Sequence, residues 1–183
     1  MSRPLARMAA WYSRRVYGQA PTAIAATAPS APILRAYLAF EWELGRARKL
    51  DARLKLLAEL KAAALAGCEY CLDIGSAIAR GAGVTPEQLA ELPRYRDSDR
   101  FSDDERLVLD YATAMTATPL DLDDDLSARL KSRFDEEQLV ELTAAIAWEN
   151  YRARFNWALG LEPQGYSRGA CALPERPAGA SAA

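Results

Sequence analysis

Leu65-Ala66-Gly67-Cys68-Glu69-Tyr70-Cys71-Leu72-Asp73-Ile74-Gly75-Ser76 is the stretch on which the reading of this chain turns. Just upstream, Leu54, Leu57, Leu60, Ala64 and Leu65 recur at helical spacing. Asp51 precedes them as an N-cap, so a helix runs from Asp51 toward Gly67. Gly67 interrupts it, and Tyr70 to Arg80 reads as a further helix, ended by Gly81 or Gly83. Cys68 and Cys71 therefore stand at a helix N-terminus. Two sulfurs at this spacing can join with little backbone motion, and the free N–H groups and helix dipole favour a thiolate. Thiolate is the nucleophile of thiol–disulfide exchange and of peroxide reduction. Spacing alone leaves three readings open: a redox pair, two structural thiols, or half of a metal site shared between subunits.

Working outward, the rest of the chain also reads as helices. Met1 to Gly18 carries Arg3, Arg7, Arg14 and Arg15, with Leu5, Met8, Ala9, Tyr12 and Val16 on one side. It is Arg-rich and acid-free like a transit peptide, but an amphipathic helix of the folded protein is the simpler reading. It has no long apolar run and makes a poor secretory signal. Pro21 to Pro32 is a proline- and alanine-rich connection with room for a short helix, and Ile33 to Lys49 gives a long one. Thr85-Pro86-Glu87-Gln88, Ser102-Asp103-Asp104-Glu105 and Asp135-Glu136-Glu137-Gln138 each open a helix with a capping pattern. The last of these runs to Trp157 and is closed by Gly160. Pro119 and the acidic run Asp121, Asp123, Asp124 and Asp125 form a turn and a helix start. They lack the glycine and closing glutamate of a calcium loop. No alternating run reads as a strand, and the fold class is all-α. The expected organisation is 1–49 as N-terminal helices packing on a core, 50–160 as the helical core, and 161–183 as a tail with a disordered end.

Composition narrows the chemistry. The chain has 183 residues, 50% of them hydrophobic, enough for one core. Its formal charge of −2 sets up no strong field toward nucleic acid or acidic lipid. With 0 His there is no Ser-His-Asp or Cys-His pair, no histidine base and no His-containing zinc site. The 3 Cys cannot complete an all-thiolate zinc site within one chain, so no metal is expected. No segment approaches the roughly 20 apolar residues of a membrane span. One close cysteine pair and a distant Cys171 fit a reducing cytoplasm better than a disulfide scaffold. No nucleic-acid module and no phosphate-cradling loop is present.

The quoted stretch, followed by an Ala-rich helix and Gly83-Val84-Thr85-Pro86-Glu87-Gln88-Leu89, resembles the carboxymuconolactone decarboxylase superfamily. It is most similar to the alkylhydroperoxidase D-like branch, which keeps Cys-x-x-Cys. The likeness is close over about Leu50 to Leu92 and looser through Ser102 to Arg106 and Glu149 to Asn156. It implies an all-α, alkylhydroperoxidase D-like helical bundle that assembles as a dimer, trimer or hexamer and needs no cofactor. It also implies that Cys71 attacks a peroxide and becomes a sulfenic acid, and that Cys68 then closes the disulfide. A dithiol or lipoyl-type adaptor protein would reduce that bridge. The sequence departs from the family at two positions. Gly75 stands where the family has a histidine, and Leu56 where it has a proton-relay glutamate. Glu59, nearly one helical turn on from Leu56, is the candidate to replace that glutamate; the alternative is a solvent-facing Glu59 paired with Lys55 or Lys61. A lyase or isomerase acting on a small molecule, and a redox-sensing oligomer without turnover, are the competing functions.

Further candidates lie elsewhere. Glu149, Asn150, Arg152, Arg154 and Asn156 share one long helix, and Arg152 and Asn156, four apart, share a face. Arg152 and Asn156 are candidate substrate-binding residues beside the thiols. The alternative for Arg152 is an ion-pair network with Glu41 or Glu43. Tyr70 is a candidate donor to a substrate oxygen, or a packing residue with a wet tip. Trp11, Tyr12, Tyr37, Phe40, Trp42, Trp148, Phe155 and Trp157 either line a pocket or form core and subunit interface.

Overall fold

The computed structural model describes residues 2–167, and among them every regular element is helical. The order is α1 Ser2–Tyr17, α2 Thr22–Thr27, α3 Ala31–Arg46, α4 Ala52–Leu65, α5 Glu69–Gly81, α6 Pro86–Glu91, a 3-10 segment Leu92–Asp97, α7 Asp103–Thr116, α8 Asp124–Arg133 and α9 Glu136–Ala158. Cys171 and the expected disordered end lie outside the described residues.

The central element is α4, which packs on α5, α7 and α9. A helix surrounded on several sides has no solvent stripe to keep polar. Leu57, Ala58, Leu60, Ala62 and Ala63 of α4 are all essentially inaccessible. Small alanines let the neighbouring helices approach closely. Lys55, also buried, is neutralised by Glu141 of α9 at 3.0 Å. Burial opposes the charge on Glu141. The amide N–H groups of Leu50 and Lys49 and the Lys55 ammonium overcome it and hold that carboxyl below its usual range.

Helix starts follow the sequence. Thr85 with Gln88, Ser102 with Glu105 and Asp135 with Gln138 all form reciprocal capping boxes. Asp51 and Asp123 cap α4 and α8 by accepting from Arg53 and Leu126 amides. Each cap is worth about 1 kcal/mol.

One turn decides where the cysteines sit. Gly67 takes φ +68°, the left-handed conformation. The Gly67 N–H then reaches the Ala64 carbonyl and the Cys68 N–H reaches the Ala63 carbonyl, closing the end of α4. Cys68 is thus the residue that finishes α4, and it is also the N-cap of α5. Gly83, at φ +83°, ends α5 in the same way, which resolves the choice between Gly81 and Gly83.

Within the described chain, α1 is a helix whose apolar side is only partly covered. Met8, Tyr12 and Val16 are all more than half exposed. Residues 161–167 are not loose. Asp73 of α5 accepts the amide N–H groups of Gln164, Tyr166 and Ser167 at 2.7–3.1 Å, latching this segment to the cysteine-bearing helix. The Gln164 side chain in turn accepts from the Thr22 amide and donates to the Ala20 carbonyl, joining the same segment to the start of α2.

Candidate functional site

Cys68 and Cys71 are joined in a disulfide, with Cα atoms 5.3 Å apart on the first turn of α5. The Cys68 sulfur also accepts the Cys71 N–H at 3.2 Å, the bond a side-chain oxygen makes in an ordinary N-cap. In the dithiol form the free N–H groups and dipole of this helix start favour a thiolate in the pair. Both cysteines are buried, but only Cys71 lines a cavity of about 590 Å³. The Asn156 amide nitrogen of α9 stands 3.5 Å from the Cys71 sulfur.

That cavity lies between α1, α2, α3, α4, α5 and α9. Its apolar wall includes Ile24, Leu38, Leu60, Ile74 and Ile78. Gly75 belongs to the same wall, and a Cβ there would stand 3.1 Å from Leu60 Cδ2. At the position where the family carries a histidine, the Leu60 side chain therefore closes off the space, and a side chain there would require Leu60 to give way. Tyr12, Tyr37 and Trp42 of the aromatic set line the cavity. Phe40, Trp148, Tyr151 and Phe155 instead stack in succession along α3 and α9, with ring centres 4.3, 4.8 and 5.6 Å apart. Trp11 and Trp157 face outward.

The polar wall is built around Arg152. Its guanidinium donates to Glu41 of α3 at 3.1 and 3.2 Å, to Glu59 of α4 at 3.1 Å and to Glu149 of its own helix at 2.8 Å. One cation thus serves three carboxyls drawn from three helices. Glu41 has further help from the Trp148 indole N–H at 3.0 Å. Burial raises the Glu59 pKa against the pull of Arg152. Burial also pushes Glu149 up to about 7, with Arg152 opposing and the nearby Glu59 and Glu41 carboxyls adding to the rise. Glu149 Oε1 and Asn156 Oδ1 are buried and have no hydrogen-bond partner in the structure.

The structure brings the residues singled out from sequence to one place. Cys71, Glu59, Tyr70, Arg152 and Asn156 all line the cavity, with Cys68 directly behind Cys71. Glu59 is turned inward to Arg152 rather than out to Lys55 or Lys61. Arg152 is engaged by Glu41, the ion-pair partner weighed for it, and by two further carboxyls. The Tyr70 hydroxyl accepts the Ala23 amide N–H at 3.2 Å, tying α5 to α2. Asn150 faces α7 instead, donating to Thr116. Sequence reading did not single out Asp73 or give Glu149 a role of its own. The signal for Glu149 was its spacing: it lies two helical turns before Asn156 and so shares its face. Among the described residues no group of His, Cys, Asp and Glu is placed to hold a metal ion.

A helical bundle with Cys-x-x-Cys at an inner helix start, opening on a cavity, is the arrangement of the alkylhydroperoxidase D-like fold. The chain belongs to the carboxymuconolactone decarboxylase family, whose sequence pattern matches residues 31–114. It is 36% identical to the uncharacterized protein YnjA of Escherichia coli K12 over 171 residues, covering 93% of this chain and 92% of that one. Among solved structures it shares its fold with the debrominase Bmp8. There the TM-score is 0.81 at 22% identity, over 91% of this chain and 90% of that one. An alkylhydroperoxidase AhpD core protein from Ralstonia eutropha JMP134, described as peroxidase-related, superposes with TM-score 0.80 at 18% identity, over 92% and 90% of the two chains.

Proposed function

We propose that this protein is a thiol-dependent oxidoreductase that reduces a peroxide, or exchanges with a disulfide, at Cys71. The observation that carries this reading is that Cys71, and not its partner Cys68, lines a cavity that also holds protonatable carboxyls. In the reaction the Cys71 thiolate attacks one oxygen of a hydroperoxide. The O–O bond breaks, an alcohol or water leaves with a proton, and Cys71 becomes a sulfenic acid. The Cys68 thiol then displaces water and the disulfide forms. A dithiol or lipoyl-type adaptor protein returns both thiols, and a reducing cytoplasm suits such a cycle. Homo-oligomer formation is part of the proposal. Met8, Trp11, Tyr12 and Val16 on α1 and Trp42 on α3 are exposed apolar side chains, of the kind subunit contacts bury, and Tyr12 and Trp42 also line the cavity.

A second reading has support of its own. Bmp8 is a debrominase, and a cysteine-to-alanine variant of it was solved in complex with 2,3,4-tribromopyrrole, again at TM-score 0.81. The cavity of about 590 Å³, with Gly75 in its wall, has room for a ring-sized occupant. In that case the same dithiol would supply two electrons: the carbon–halogen bond breaks, the halogen leaves as halide, the carbon takes up one thiol proton, the other is released, and the two sulfurs form the disulfide.

The test is thiol titration before and after stoichiometric hydroperoxide, with mass spectrometry of the bridge. Rapid loss of two thiols as Cys68–Cys71, restored by dithiol and abolished by Cys71→Ser, is the expected result. Persistence of both thiols in the folded protein refutes peroxide reduction. Halide release from a halopyrrole would then establish the second reading.

A further inference from the structure

Resting on the peroxide reading, we propose that Glu149 is the proton donor of this site: its carboxyl supplies the proton that the leaving oxygen needs, by way of water in the cavity. The two family positions that would handle this proton are Gly75 and Leu56, and neither side chain can carry one.

Charge and hydrogen bonding select Glu149. Three ionised carboxylates around one guanidinium would leave a net charge of −2 in a largely dry cluster, and binding one proton relieves that cost. Glu41 is the most exposed of the three and takes donors from both Arg152 and Trp148. Glu59 keeps its bond to Arg152 at the cavity wall. Glu149 is the most buried; its Oε2 faces Arg152 while Oε1 has no partner. A bare carboxylate oxygen without a donor is costly, and a proton on Oε1 removes the charge. Glu149 and Cys71 line the same cavity, on α9 and α5.

The groups that face Glu149 are Arg152 of its own helix, Glu41 and Tyr37 of α3, Glu59 of α4 and, across the cavity, Cys71 of α5. Near this point α7 meets α9 through the neutral Thr116–Asn150 contact. The atoms balance as follows. Cys71 thiolate, hydroperoxide and the Glu149 carboxylic acid give Cys71 sulfenic acid, alcohol and the Glu149 carboxylate. Sulfur is oxidised and the O–O bond reduced.

The experiment measures the single-turnover rate of Cys68–Cys71 bridge formation with an alkyl hydroperoxide between pH 5 and 9. It compares the wild-type protein with Glu149→Gln and Glu41→Gln. The wild-type rate per thiolate should fall as pH rises through the Glu149 titration near 7. Glu149→Gln should be slower by roughly tenfold to a hundredfold and lack that limb. Glu41→Gln removes a neighbouring negative charge, so it should move the limb to lower pH. An unchanged limb in Glu149→Gln, or no shift in Glu41→Gln, overturns the proposal. Infrared titration of the wild-type protein provides a readout independent of turnover and of how the variants fold. A protonated-carboxyl C=O band from isotope-labelled glutamate, lost near pH 7, is expected. Its absence overturns the assignment of the proton. If wild-type thiols ignore hydroperoxide altogether, the peroxide reading and the donor role fail together. The infrared band then reports only whether Glu149 holds a proton.

Discussion

The side-chain amide of Asn156 in α9 donates toward the sulfur of Cys71 in α5, at 3.5 Å. It is a contact across 85 residues of sequence, between two buried side chains. An N–H aimed at sulfur favours the thiolate over the thiol. The amide oxygen of the same side chain is buried without a partner.

Asn156→Ala should therefore raise the Cys71 pKa. In a Cys68→Ser background, alkylation of Cys71 by iodoacetamide at pH 7 should slow about fivefold, corresponding to about 1 kcal/mol for a single hydrogen bond. Unchanged alkylation would remove Asn156 from the account of thiol reactivity.

Arg152→Met should destabilise the protein by about 3–5 kcal/mol at pH 8, because it leaves Glu41, Glu59 and Glu149 without the guanidinium they share. The loss should be smaller at pH 5. Burial pushes Glu149 up to about 7, so it takes up a proton there, and it raises Glu59 in the same direction. Urea denaturation at the two pH values checks this, and equal losses would contradict it.

Asp73→Asn tests the latch. Burial disfavours the Asp73 charge, but amide donors led by Ser167 outweigh it and hold the carboxyl below its ordinary range. A depressed carboxyl gives stability that is complete above the unfolded value of about 3.9 and is lost as pH falls through the folded value. The variant should lose about 1–3 kcal/mol at pH 7 and show a shallower acid limb. Hydrogen exchange at the Gln164, Tyr166 and Ser167 amides should accelerate, and protection equal to wild type would argue against the latch.

Gly67→Ala should cost about 1 kcal/mol through the left-handed backbone alone, since a Cβ at this position meets nothing within 4 Å. Thermal denaturation measures it. A neutral result would mean that the turn between α4 and α5 adjusts freely.

Local chemistry was legible in the sequence, and tertiary convergence was not. The starts of α6, α7 and α9 follow from Thr85, Ser102 and Asp135 because a capping box is complete within four residues. The break at Gly67 was readable for the same reason. The 3-10 segment Leu92–Asp97 was not, because its one marker, Pro93, fits many local conformations. The Arg152 cluster draws Glu41 from 111 residues away and Glu59 from 93. Spacing along α9 brought Arg152 and Asn156 to one face but gave no hint that three carboxyls would meet there. The inward turn of Glu59 was one of two expectations, and packing of α4 against α9 decided between them. Met8, Tyr12 and Val16 fell on one side of α1 as their periodicity required, but periodicity does not say what covers that side.

Because Cys68 and Cys71 share the first turn of a single helix, the bridge joins no two parts of the molecule that were not already neighbours. Making or breaking it tightens no interface and frees no segment. The bridge spans a sequence separation of 3 and pins no distant helix to α5. News of the thiol state can leave the site only by what enters and departs through the cavity. That wiring suits the turnover proposed for this site better than signalling.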